Sequence, residues 1–248
     1  MIRQTLRTIQ SATFAILLPD ALNNGMPTPA GTGFFVSPNG WFVTAAHVIM
    51  NNDQVRNDLN QTWLRKESRS ISVPSQVINR GVSFGHVIHN LDFALLKVDF
   101  AENANNVCLK GKNEFPFITV STRHLKEGEP VYSFGYPLSE SKSQNIGQML
   151  IGQDILFPRV TSAIISSNIE QTSMVMTDNG PKVYVLDKAL NYGNSGGPIV
   201  STDTGKVHAL CSSFQPVLIP QLHLSNKTNL ISIMIPSLYG IVSSLGNT

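Results

Sequence analysis

Short runs of Val, Ile, Phe and other apolar residues recur along this chain, broken every few positions by Gly, Asn, Pro and Ser. No other feature constrains the fold as much. β-branched and aromatic residues suit a pleated, half-buried surface, whereas the breaking residues supply turns. Strand candidates are Ala12 to Leu18, Gly33 to Val36, Trp41 to Thr44, Val77 to Asn79, Phe93 to Val98 and Pro130 to Phe134. They continue with Met149 to Phe157, Val160 to Ile165, Met174 to Thr177, Val183 to Val185, Gly197 to Val200, Val207 to Ser212 and Asn229 to Ile235. So many short strands predict an all-β barrel or sandwich. Ser37-Pro38-Asn39-Gly40 reads as a hairpin turn between two of them. Ser237, following Pro236, is placed as an N-cap and predicts a terminal helix over about 237–245. The polar stretches 138–148 and 166–173 read as loops, with a plain surface role and a regulatory one both open.

Composition narrows the class of function. Hydrophobic residues make up 42% of the 248 and charged residues only 14%, below the roughly 25% usual in soluble domains. That is enough apolar material for a core and excludes a disordered chain. A net charge of +2 without a basic stripe predicts neither nucleic acid nor a membrane surface as partner. No run approaches the roughly eighteen apolar residues of a membrane span. Arg3 and Arg7 precede the apolar run 12–18, which ends at Pro19-Asp20 with no small-x-small pattern. It reads as a first strand rather than a signal peptide, and the expected location is cytoplasmic. Cys108 and Cys211 make no disulfide framework, and Cys211, inside an apolar run, reads as a packed thiol.

Three segments carry chemistry. In Gly193-Asn194-Ser195-Gly196-Gly197-Pro198 a serine sits among glycines. Such a turn exposes the hydroxyl and aims neighbouring N–H groups at a developing anion. A serine nucleophile needs a base, and the base needs a carboxylate to orient it. Of six histidines, His47 stands out. It ends the run Gly40-Trp41-Phe42-Val43-Thr44-Ala45-Ala46-His47, where bulky residues give way to two alanines. Asp92 opens the apolar strand 93–98, where a charge costs free energy unless paired. Asp99, at the far end of that strand, borders a polar loop and is the weaker candidate.

Thr44-Ala45-Ala46-His47, Leu91-Asp92-Phe93-Ala94-Leu95-Leu96-Lys97 and Gly193 to Pro198 resemble the His, Asp and Ser segments of chymotrypsin-like serine peptidases, in that order. The resemblance is strongest to the bacterial HtrA/Deg-type branch. Its serine segment, Asp-x-x-x-Asn-x-Gly-Asn-Ser-Gly-Gly-Pro, is matched by Asp187, Asn191 and Gly193 to Pro198. Gly31-Thr32-Gly33-Phe34, Gly135-Tyr136-Pro137 and 231–237 add weaker similarity.

The resemblance implies a double β-barrel in a single peptidase domain, with an N-terminal barrel over about 12–115 and a C-terminal barrel over about 125–236. Larger members append a peptide-binding PDZ domain, for which the chain is read as having no room. It implies a triad of His47, Asp92 and Ser195, an oxyanion hole from the Gly193 and Ser195 N–H groups, and no metal or cofactor. A polypeptide substrate would lie along Leu210, Cys211, Ser212, Ser213 and Phe214. Ala189, six residues before the serine, would form the floor of the primary pocket. Alanine there predicts small or medium apolar side chains before the cleaved bond, although Asp187 and Lys188 lie close by in sequence. Asn194 immediately before the serine argues against activation by propeptide removal, and a regulatory protein partner that orders the oxyanion loop is the corresponding expectation. Two other readings stay open: a catalytically silent peptide-binding module of the same fold, and an esterase using the same residues.

Overall fold

A computed structural model describes residues 2–20, 27–51, 54–66, 77–78, 81–105, 109, 111–146, 149–170, 182–188, 190–214, 217–219, 233–235 and 240–244. The chain opens with helix α1 (Ile2–Ala12). Leu6, Ile9 and Ala12 recur at helical spacing and face the core, while Arg3 and Arg7 point outward. Lys66 caps the other end by donating from Nζ to the carbonyls of Gln10 and Ser11, where the helix dipole favours a cation.

The N-terminal half comprises β1 (Thr13–Pro19), β2 (Pro27–Phe35), β3 (Trp41–Ala45), helix α2 (Ala46–Ile49) and a small hairpin of β4 (Met50–Asn51) with β5 (Gln54–Val55). β6 (Trp63–Arg65), β7 (Val77–Ile78), β8 (Val82–Ile88) and β9 (Phe93–Val98) complete it. Seven of these form one antiparallel sheet in the order β7-β6-β1-β2-β3-β9-β8. Among the described residues it does not close, unlike the N-terminal barrel the resemblance implies. It encloses an aromatic core: the Phe35 ring stacks on Phe115 at 4.3 Å and meets Phe14 and Phe42 edge-on. Removing a buried ring of this kind costs about 3–5 kcal/mol.

The C-terminal half contains β10 (Pro130–Gly135), β11 (Glu140–Ile146), β12 (Met149–Ile155), β13 (Arg159–Glu170), β14 (Lys182–Leu186), β15 (Pro198–Ser201) and β16 (Val207–Phe214). β17 (Val217–Ile219), β18 (Ile233–Ile235) and β19 (Gly240–Ser244) follow. β10-β13-β14-β19-β16-β15 close into a six-stranded barrel. Closure gives each of the six strands two neighbours and surrounds a second core of Val131, Ile165, Tyr184, Leu186 and Ile199.

Three sequence expectations need correcting. Residues 240–244 form a strand, not part of a terminal helix. β19 pairs with both β14 and β16, so closing the barrel outweighs the N-cap signal of Ser237. Gly240, Ile241 and Val242 are also poor helix formers. The stretch 138–148 is mostly strand β11, which pairs with β12 from Glu140↔Ile155 to Ile146↔Met149. The start of 166–173 continues β13, which runs to Glu170. The strand candidate Met174 to Thr177 lies outside the described residues.

Candidate active site

Antiparallel pairing brings His47 and Asp92 together. β3 and β9 are neighbours with Ala45 opposite Phe93, so the residues just beyond one strand face those just before the other. β3 runs directly into α2, which carries His47. Asp92 ends the 3₁₀ turn His89–Leu91 in a left-handed conformation, φ 51°, which Asp tolerates better than most residues. Its carbonyl accepts the Ala46 N–H at 2.9 Å. Carboxylate Oδ1 accepts the His47 backbone N–H at 2.9 Å, and Oδ2 lies 2.7 Å from His47 Nδ1. Ser212 Oγ donates to the same Oδ2 at 2.7 Å.

These contacts set the protonation pattern. An ionised carboxylate only accepts, so Nδ1 carries a proton and neutral His47 keeps its lone pair on Nε2. Burial alone would raise the Asp92 pKa. Hydrogen bonds from His47 and Ser212, together with the attraction of a charged imidazole, outweigh it and hold the group below the ordinary carboxylate value.

Ser195 stands at the turn into β15, where four successive peptide planes are anchored. The Tyr192 carbonyl accepts Leu138 N–H at 2.9 Å. The Gly193 carbonyl accepts the Thr32 hydroxyl at 2.6 Å. The Asn194 carbonyl accepts Gly197 N–H at 2.8 Å, and the Ser195 carbonyl accepts Thr32 N–H at 2.8 Å. Two of the matching N–H groups are also bonded, Asn194 to Asn191 O and Gly196 to Cys211 O. Among the described residues, the N–H groups of Gly193 and Ser195 have no protein acceptor. Glycine is required twice here. Gly193 and Gly196 have φ of +92° and +80°, and a Cβ on Gly196 would meet Thr32 O and Thr44 Oγ1 at 2.2 Å.

His47, Gly193, Ser195, Cys211 and Ser212 line one cleft of about 490 Å³, with Tyr136, Leu138, Leu190 and Tyr192 around it. Of the candidate substrate residues, Cys211 and Ser212 reach this cleft. Leu210 does not: it is fully buried and pairs with Pro198 on one side and Ser243 on the other. Ser213 and Phe214 continue β16 and pair with β19. Ala189 lies outside the described residues. Asp187 is drawn away, its carboxylate accepting the Ile164 N–H at 2.8 Å. Asp99 caps the next turn through Ala101 N–H. His208 is buried against Arg123 O, and desolvation lowers its pKa. Burial also pushes the Cys211 thiol up to about 12. The bond from Ser212 to Asp92 is absent from the sequence reading, which placed Ser212 only along the substrate. Thr32 appeared there only within a family-like motif.

Among the described residues no group of three His, Cys, Asp or Glu side chains could hold a metal ion, and no helix is long and apolar enough to cross a membrane.

A curled β-sheet unit packed beside a closed β-barrel, with a His–Asp pair and a serine turn meeting in one cleft, defines a chymotrypsin-like fold. Residues 31–210 match the trypsin-like peptidase domain, and the chain belongs to that family. It is similar to serine protease HTRA4 of Mus musculus, 28% identical over 182 residues, covering 73% of this chain and 29% of the relative. A probable periplasmic serine endoprotease DegP-like of Rickettsia prowazekii (strain Madrid E) is 30% identical over 193 residues, covering 76% and 29%. The chain thus aligns with less than a third of these relatives' length. Among solved structures, the HtrA-type protease AlgW with decapeptide superposes with a TM-score of 0.58 at 15% identity, covering 99% of this chain and 64% of that one. The serine endoprotease from Yersinia pestis gives 0.53 at 20%, covering 86% and 57%.

Proposed function

We propose that this chain is a serine endopeptidase acting through an acyl-enzyme. Ser195 attacks the scissile carbonyl, and His47 Nε2 takes the serine proton and returns it to the leaving amine. Asp92 holds the tautomer and stabilises the imidazolium. The N–H groups of Gly193 and Ser195 receive the oxyanion. The observation that carries this reading is the Asp92 carboxylate. It accepts the backbone N–H and the ring Nδ1–H of His47 on the rim of the cleft that Ser195 lines, leaving Nε2 as the basic atom.

The substrate would be an extended peptide bonded along β16 beyond Cys211, where the pairing with β15 has ended. Small or medium apolar side chains before the cleaved bond are favoured. The described residues lining the cleft include Leu190 and Cys211 and no Asp or Glu to attract Lys or Arg. A regulatory protein partner would act at Asn191 and Tyr192, which are exposed beside the oxyanion turn, Tyr192 at 69%.

The test is digestion of unfolded casein by the purified chain beside Ser195→Ala, with new N-termini identified by mass spectrometry. Cleavage by the wild type alone, after apolar residues, is the expected result. Equal cleavage by Ser195→Ala overturns the assignment, and a profile dominated by Arg overturns the specificity.

A further inference from the structure

Thr32 lies in the N-terminal sheet, yet it bonds the serine turn twice, at Gly193 O and Ser195 O. It is fully buried. The ladder between β2 and β3 begins one residue later, at Gly33↔Thr44. At Thr32 the backbone N–H goes instead to Ser195 O, while its carbonyl accepts Thr44 Oγ1 at 2.7 Å. The hydroxyl has two partners of opposite kind. It accepts Tyr136 N–H at 3.1 Å and donates to Gly193 O at 2.6 Å. An amide N–H only donates and a carbonyl only accepts, so the hydroxyl proton has one place to go. A bare Cβ on Gly135 would come within 3.1 Å of this hydroxyl and within 2.5 Å of Asn194 Oδ1, so glycine there keeps the approach open.

The position of that bond matters. The peptide plane between Gly193 and Asn194 sits between the two planes whose N–H groups have no acceptor among the described residues, those of Gly193 and Ser195. Gly193 has no Cβ, so its own backbone preference does not select φ +92° over other values. An external anchor must do so, and the Thr32 hydroxyl is bonded directly to the Gly193 carbonyl.

We propose that Thr32 is a positioning residue of the oxyanion pocket: its hydroxyl, oriented by Tyr136 N–H, locks the Gly193 carbonyl so that both N–H donors face the cleft. The N-terminal sheet thereby sets the geometry of a pocket built wholly from the C-terminal half. The functional consequence rests on the peptidase reading above; the structural one does not. Valine in place of Thr32 keeps the shape but leaves the buried Tyr136 N–H and the half-buried Gly193 carbonyl without their partner. Serine keeps both bonds and loses only the methyl that restricts its rotamer.

The experiment compares wild type, Thr32→Val and Thr32→Ser in two readouts, with Thr32→Ala replacing the valine variant if thermal unfolding shows that it does not fold. One readout is the amide resonance of Gly193 in protein labelled with ¹⁵N-glycine. The other is the second-order rate of labelling by a fluorophosphonate probe. The valine variant is expected to displace or broaden the Gly193 resonance and to slow labelling by roughly tenfold or more, a lost oxyanion donor costing 10²–10³. The serine variant is expected to restore both to near wild type. An unchanged Gly193 resonance in a folded variant without the hydroxyl overturns the proposal. So does labelling at the wild-type rate in that variant. If the wild type itself does not label, the reading of an assembled peptidase site in the isolated chain falls, and the Gly193 resonance alone decides the role of Thr32.

Discussion

Replacing Asp92 with Asn changes almost no volume and inverts the hydrogen-bond logic of the site. The carboxylate now accepts three bonds: His47 N–H on Oδ1, and His47 Nδ1–H and Ser212 O–H on Oδ2. An amide has one acceptor and one donor end. If its NH₂ took the Oδ1 place, it would face the His47 backbone N–H at about 2.9 Å, donor against donor. The NH₂ therefore takes the Oδ2 place and donates to Nδ1, which drives the ring proton to Nε2. His47 then has no lone pair for Ser195, and the imidazolium has no counter-charge. Loss of tautomer and charge together costs about 10⁴ in kcat in serine peptidases, or about 5 kcal/mol at 1.36 kcal/mol per tenfold. The assay is the turnover of a fluorogenic peptide chosen from the casein cleavage sites, with thermal unfolding as the check on folding. A folded Asp92→Asn variant within tenfold of wild type would refute this account of the bond network.

Other consequences concern the frame around the site. Gly196→Ala should abolish activity and lower stability, because at φ +80° its Cβ would sit 2.2 Å from Thr32 O and 2.7 Å from Ala45 N, backbone atoms that cannot swing aside; activity assays and a melting curve check both. The native pKa of Asp92 is lowered, so its contribution is complete above the ordinary carboxylate range near pH 4 and is lost as pH falls through the lowered value. Urea unfolding between pH 2 and 6 should therefore show a weaker acid dependence in Asp92→Asn than in wild type. Cys211 is 2% exposed and its thiol is pushed up to about 12, so in a Cys108→Ser background iodoacetamide at pH 8 should label it only after denaturation.

Much of this arrangement was legible in the sequence, for identifiable reasons. Thr44 to His47 shows bulky residues giving way to alanines, Asp92 puts a charge at the mouth of an apolar strand, and Ser195 stands among glycines whose positive φ the turn requires. Each is a local anomaly, and the β3–β9 pairing that joins two of them follows from ordinary strand signals. What stayed hidden has no local signature. Thr32 looks like any strand threonine, because its bonds to Gly193 and Ser195 span more than 160 positions. Glu140–Ile146 has a single apolar residue, Ile146, and so shows no period of two. Among the described side chains of α1, Leu6, Ile9 and Ala12 face the core, too short a stripe to announce a helix. Residues 240–244 carry an upstream cap signal, but their partners in β14 and β16 are distant in sequence.

The central proposal is that Ser195 is an activated nucleophile beside the N–H donors of Gly193 and Ser195, which have no acceptor among the described residues. Intact-mass and peptide mapping after treatment with a fluorophosphonate test it directly. The account predicts one adduct, carried on Ser195, formed by wild type and absent from both His47→Ala and Ser195→Ala. An adduct that forms equally well without His47, or that maps to another residue, would contradict it.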